Sequence, residues 1–206
     1  MVRSERKERE FNARRAEILK TAEKIFSVKE YHKVTMAEIA SASGFSTGSL
    51  YQFFEGKENL YTAMIGEKLD VMFSEIRKAT EKTGNIIDKI EILVDSQLQF
   101  MEKNADFCRL FVKGESIALS EAMTSLREKI IADYLTHVNF IENVLKDGIK
   151  SGLIRNISAK DMAQSLFHLI KASSIEWMLS LKTESPGTKK SFILDIFLNG
   201  VKKHDR

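Results

Sequence analysis

The sequence has one cysteine, Cys108, one proline, Pro186, and only ten glycines in 206 residues. A single cysteine cannot form an internal disulfide, which excludes a disulfide-stapled scaffold and fits a reducing compartment. Turn-rich sandwiches and barrels use many more prolines and glycines, so loops must be few and helices long. No stretch approaches the roughly 18 uncharged apolar residues of a membrane span. The opening MVRSERKEREFNARR also lacks the apolar centre of a signal peptide. No membrane partner and a cytoplasmic location are therefore expected. An excess of one charge is missing too: 32 Lys and Arg face 29 Asp and Glu, for a net +3. What the chain does have is 43% apolar side chains, enough to fill the core of one domain or two small ones.

Those apolar residues recur with helical spacing almost everywhere. Ile18, Leu19, Ala22, Ile25 and Phe26 mark an amphipathic helix reaching back into the charged N-terminal arm. Thr35-Met36-Ala37-Glu38 is a capping box in which hydroxyl and carboxylate each satisfy an orphan N–H, and Gly44 stands where that short helix ends. Ser46 is the next N-cap, opening a helix of about two turns through Phe53. A long helix begins near Lys57 and ends at Thr83-Gly84-Asn85. Another carries Ile86 to Met101, a shorter one surrounds Phe107, and a long one runs from Met123 to the Lys150-Ser151-Gly152 stop. Ser158 caps a helix over Met162 to Leu181, Pro186 lies in a loop, and the last helix spans about Lys189 to Lys202. The expected fold is all-α, with about nine helices and a boundary inside the long helix after Lys57.

Thr35 to Phe53 has the parts of a helix-turn-helix: a capped two-turn helix, a Ser43-Gly44-Phe45 corner and a second capped helix. The second helix offers small polar residues at its start, Ser46, Thr47, Gly48 and Ser49. An N-terminus of that kind can bring N–H groups and hydroxyls to bases and phosphates in a major groove. Charge supports this in one place. Residues 1–33 carry ten Lys and Arg against six Glu, or +4, whereas residues 34–60 carry Lys57 against three Glu, or −2. The arm and first helix must supply most of the attraction.

With these residues the sequence resembles the TetR (tetracycline repressor-like) family of bacterial transcriptional regulators. The resemblance rests on Arg14 to Leu19, Ala22 to Phe26, Thr35 to Ala40, Gly44 to Tyr51, Phe54 and Lys57 to Leu60, about 60 residues with consistent spacing. It implies a homodimeric regulator with an N-terminal three-helix DNA-binding head, at residues 11–71, and a ligand-binding and dimerisation body at residues 74–206. Double-stranded operator DNA is the implied partner. Thr35, Tyr51 and Lys57 would bond phosphates, Ser46, Thr47, Gly48 and Ser49 would approach base edges or backbone, and Gln52 could reach either. Phe53 departs from the pattern, which often has His or Tyr there. Phenylalanine cannot donate a hydrogen bond, so it would pack under the head or against sugar instead.

In the body, Met101, Phe107, Phe111, Met123, Tyr134, Phe140 and Phe167 could line an apolar cavity between helices, with His137, His168 or Gln97 as a polar handle. If that cavity is mostly apolar, a small lipophilic effector such as a fatty-acyl compound or a hydrophobic drug follows, and its arrival would release a repressor. Leu166, Ile170, Ser173 and Trp177 belong to a helix apolar around much of its girth, and Phe192, Ile196 and Phe197 to the last helix. Two copies of this pair would form the homodimer contact, although burial within one subunit would give the same pattern. Gly44 to Gly48 also matches the G-x-S-x-G of a hydrolase elbow, but that motif needs a preceding strand and a helix stands there. No metal set is spaced for use, and no cofactor is implied. The alternatives are an all-α enzyme or an adaptor that has lost DNA binding.

Overall fold

The computed structural model describes residues 2–110, 123–179 and 184–201. Nine helical segments and no strand occur among them: α1 (Val2–Val28), α2 (Met36–Ala42), α3 (Thr47–Leu50), α4 (Lys57–Thr80), α5 (Ile86–Lys103), α6 (105–110), α7 (Thr124–Lys150), α8 (Ala159–Leu179) and α9 (Lys190–Val201). None of the described helices is long and apolar enough to cross a membrane.

The chain divides into two compact units, residues 1–68 with 109–127 and residues 69–108 with 128–206, so the division falls inside α4. In the first unit α1 packs on α2 and α2 on α3. Ile18, Ala22 and Phe26 recur every fourth residue along α1 and are buried together with Ile39, Leu50, Phe54 and Leu60. Two ion pairs, Arg15–Glu67 and Lys68–Glu23, tie α1 to the middle of α4.

α3 is shorter than its sequence suggests. After Leu50 the bonds tighten to the 3₁₀ pattern, with Gln52 N–H donating to the Ser49 carbonyl at 3.1 Å and Phe53 N–H to that of Leu50 at 3.0 Å. The segment from Thr47 to Phe53 is therefore one α-turn plus a tight turn. The Thr35 capping box is also only half formed. Thr35 Oγ1 accepts the Glu38 N–H at 3.2 Å, but the Glu38 carboxylate pairs with the Lys29 ammonium.

The second unit is built around α5, which packs on α8, α9 and a 3₁₀ turn at Pro186–Lys189. Ile90, Leu93, Leu98, Ile141, Leu145, Leu166 and Ile170 fill its core. Pro186 opens that turn as its first residue, where a missing N–H is harmless, and Ser185 caps the turn through the Gly187 N–H. The carbonyl end of α9 is satisfied from outside: Arg155 N–H donates to the Val201 oxygen and its guanidinium to that of Gly200, each at 2.7 Å.

Gly148 lies where the end of α7 meets Ile154 and Ile86. A Cβ there would stand 2.5 Å from Ile154 Cγ1 and 2.9 Å from Ile86 Cγ2. Gly148→Ala therefore trades better helix propensity for overpacking, and a net loss of about 1–2 kcal/mol is expected in urea unfolding.

Candidate nucleic-acid interface

The corner between α2 and α3 follows from a few residues. Gly44 has φ +76°, a conformation that a side chain opposes. Its N–H donates to the Ser41 carbonyl at 3.2 Å while the Phe45 N–H reaches back to that of Ala40 at 2.9 Å. These two bonds are a Schellman motif, the usual close of a helix on glycine. The Ser43 hydroxyl adds a bond to the Ile39 carbonyl at 2.6 Å, so the chain leaves α2 in one direction only.

Ser46 then starts α3. Its Oγ accepts the Ser49 N–H at 3.1 Å and lies 2.8 Å from the Ser49 hydroxyl, so these two serines are partly occupied with each other. Thr47, Gly48, Tyr51 and Gln52 remain exposed, Tyr51 with 53% of its surface free. A Cβ on Gly48 would meet nothing within 4 Å. Nothing inside the protein requires glycine at that position, although glycine costs the helix about 1 kcal/mol. A backbone that must come close to something outside the chain would require it. Thr35, also exposed, keeps its own O–H free to donate outward, because its oxygen already serves as the acceptor of the cap.

Lys57 has partners inside the head. Its ammonium donates to the Tyr31 carbonyl at 3.0 Å and the Val34 carbonyl at 2.9 Å, and it lies 4.5 Å above the centre of the Tyr31 ring. Two of its three N–H donors thus serve the loop entering α2. Phe53 packs under the head: its ring stacks on Phe11 of α1 at 4.6 Å and meets the edge of Phe45 at 6.2 Å.

The candidate effector residues lie in the second unit, apart from Phe111, which is outside the described residues, and Met123, which is buried in the first. Four of them come together. The His137 ring stacks on Phe73 of α4 at 4.3 Å and meets Phe167 at 6.0 Å, while Tyr134 touches both Phe167 (5.0 Å) and His168 (6.2 Å). His137 is buried, its Nε2 has no partner among the described residues, and burial together with the Arg77 charge lowers its pKa to about 4. Phe140 carries the Arg77 guanidinium 5.2 Å above its ring, Phe107 packs on Phe100, Met101 is half-buried and His168 is exposed.

The dimer candidates need correction. Leu166, Ile170, Ser173, Trp177 and Phe197 are buried within the single chain, because α5 and the Pro186 turn pack against α8 and α9. The Trp177 indole N–H donates to the Glu184 carbonyl at 2.6 Å. Phe192 and Ile196 stay open, 59% and 46% exposed, and Ile196 lines an α8–α9 cleft of about 370 Å³ together with Met162, Leu169 and Phe197 among others.

Two capped helices joined by a Schellman corner, the second with its hydroxyl and amide groups turned outward, define a DNA-binding regulator of transcription. Comparison with known families gives the particular kind. Residues 18–64 match the family described as bacterial regulatory proteins, tetR family, and residues 65–184 match the YsiA-like protein C-terminal region. The chain belongs to the TetR family. A similar protein is the fatty acid metabolism regulator protein of Bacillus subtilis (strain 168), 18% identical over 186 residues, 90% of this chain and 94% of that one. Among solved structures, the fatty acid degradation regulator FadR from Bacillus halodurans is 19% identical with a TM-score of 0.80, covering 91% of this chain and 95% of that one. FadR from Bacillus subtilis in complex with stearoyl-CoA is 17% identical with a TM-score of 0.78, covering 90% and 98%. At such identities the structural likeness shows the fold.

Proposed function

We propose that the protein represses transcription as a homodimer, holding operator DNA through α3 of each head and releasing it when a fatty-acyl effector enters the second unit. Thr47, Gly48 and Gln52 would face base edges, with Thr35, Ser46, Ser49 and Tyr51 on the phosphate backbone. Two such heads roughly 34 Å apart reach successive major grooves. Phe192 and Ile196, the apolar residues that α9 leaves open, are the natural start of the contact between copies.

The observation that carries the effector reading is the His137 ring. The rings of Phe73 and Phe167 pack on a buried imidazole whose Nε2 has no partner among the described residues. Such an atom costs about 1–3 kcal/mol until something bonds it. A ligand with one polar group on an apolar chain would satisfy it, and the stearoyl-CoA held by the Bacillus subtilis neighbour is a molecule of that chemistry. The effector acts only through unequal affinity for the DNA-holding and released states.

Fluorescence anisotropy on a duplex selected by the protein from a random pool tests both halves. Saturating hexadecanoyl-CoA should weaken binding about tenfold or more, which is about 1.4 kcal/mol of coupling, and coenzyme A alone should not. Thr47→Ala and Gln52→Ala should change the preferred bases. A protein that selects no duplex, or one indifferent to the acyl chain, would refute the corresponding half.

A further inference from the structure

α1 is 27 residues long and starts at Val2, far ahead of Ile18, where the buried stripe begins. At 1.5 Å per residue this leaves about 24 Å of helix leading into the core. Residues 5–14 are all exposed, and a helix without a buried face is marginal in water. Something else must account for its helical course. Arg6–Glu10 at 2.8 Å and Arg9–Glu5 at 3.9 Å are i,i+4 pairs, which contribute only a few tenths of a kcal/mol each.

The tertiary contact is Phe11. Its ring stacks on Phe53, three residues after α3, and Phe53 meets Phe45, just ahead of the Ser46 cap. Three phenylalanines thus bracket the recognition segment and fasten the α1 extension to it. Phe11 nevertheless stays 44% exposed, so the stack positions the extension without burying it in a core.

The cations of the extension are of two kinds. Arg6 and Arg9 are neutralised within the helix by Glu10 and Glu5. Lys7 and Arg14 are exposed and take part in none of the ion pairs among the described residues. Seven residues apart, they fall within about 20° of each other around a helix of 3.6 residues per turn, on the side adjoining Phe11. The recognition segment itself contributes −2 over residues 34–60, so phosphate attraction must come from elsewhere in the head.

We propose that the exposed extension of α1 is a second DNA-binding element, in which Lys7 and Arg14 contact backbone phosphates beside the groove that α3 enters, held in register by the Phe11–Phe53 stack. This rests on α3 being the recognition segment. Its partner is the same duplex, and it adds affinity without sequence preference.

Anisotropy titrations on the selected duplex and on an unrelated one, at several salt concentrations, test it. The Lys7→Ala/Arg14→Ala double variant should flatten the plot of log affinity against log salt by about 1.8, two contacts at about 0.9 each, on both duplexes. Phe11→Ala keeps every charge and should lose part of the same slope, while Phe11→Tyr should restore it. Arg6→Ala, a cation already paired, should change little. These substitutions are at exposed positions, and an unaltered circular dichroism melt would show that the head is intact. A parent that binds its duplex, with an unchanged slope in the double variant, would overturn the arm and leave the reading of α3 standing. A parent that selects no duplex would remove both.

Discussion

Lys57→Met should weaken operator binding by tenfold or more and leave the salt dependence of binding unchanged. The reason lies in what the ammonium holds. Its hydrogen bonds to the Tyr31 and Val34 carbonyls, at 3.0 and 2.9 Å, secure the end of the 3₁₀ turn over Tyr31–Lys33. Val34 is buried and is followed at once by Thr35, the N-cap of α2. A lysine in the first turn of α4 stands against the positive end of the helix dipole, an unfavourable place without a compensating partner. Here the compensation is two carbonyls and the face of Tyr31.

Methionine keeps the length of the stem but donates nothing. Each lost charge-assisted bond costs about 1.5–3 kcal/mol when buried. With the group only part-buried, a loss of about 2–3 kcal/mol in head stability is the expected total. The α2 cap would lose its anchor and α3 its platform. Binding falls because the reading surface is less often formed, so the affinity loss follows the loss of head stability. A direct phosphate contact predicts instead an intact melt and a slope lower by about 0.9. Urea unfolding beside anisotropy at three salt concentrations separates the two.

The same lysine shows where the sequence stops being legible. The helices could be read because burial imposes a period: Ile18, Ala22 and Phe26 repeat every four residues, and Gly44 stands where only a left-handed residue closes α2. The partners of long polar side chains have no such period. Tyr31–Lys33 is a single 3₁₀ turn with no pattern to announce it, so the carbonyls awaiting Lys57 could not be foreseen. Glu38 has the right spacing for a capping box, yet its carboxylate is taken by Lys29, nine residues away. Phe11 looks like a stray aromatic in a charged arm until Phe53 is found beneath it. α8 reads as apolar on two sides, and sequence alone does not say that α5 and the Pro186 turn cover Leu166 and Trp177. What burial repeats can be read; what a single tertiary contact decides cannot.

His137 gives the other large expected effect, and it has an unusual sign. His137→Phe should stabilise the protein at pH 7 by about 1 kcal/mol, although most substitutions in a core destabilise. The ring lies flat on Phe73 and edge-on to Phe167, geometry that phenylalanine can keep, and the change removes a buried nitrogen with no partner among the described residues. Acid should widen the gap. In the unfolded chain a histidine titrates near 6.5, whereas burial and then the Arg77 charge hold folded His137 to about 4. Above pH 6.5 both states are neutral and the group contributes no pH dependence. As pH falls from 6.5 to 4 the unfolded chain gains a proton that the folded protein refuses, and stability drops by about 3 kcal/mol. His137→Phe loses that dependence. Asp133, whose pKa burial raises, titrates in both proteins and so cancels in the difference between them. The comparison also tests the effector reading from another side. If Nε2 bonds the polar group of an acyl ligand, the more stable variant should hold operator DNA and fail to release it with hexadecanoyl-CoA. A variant that gains the stability and still responds fully would make His137 a packing residue, and would move the polar contact of the ligand elsewhere.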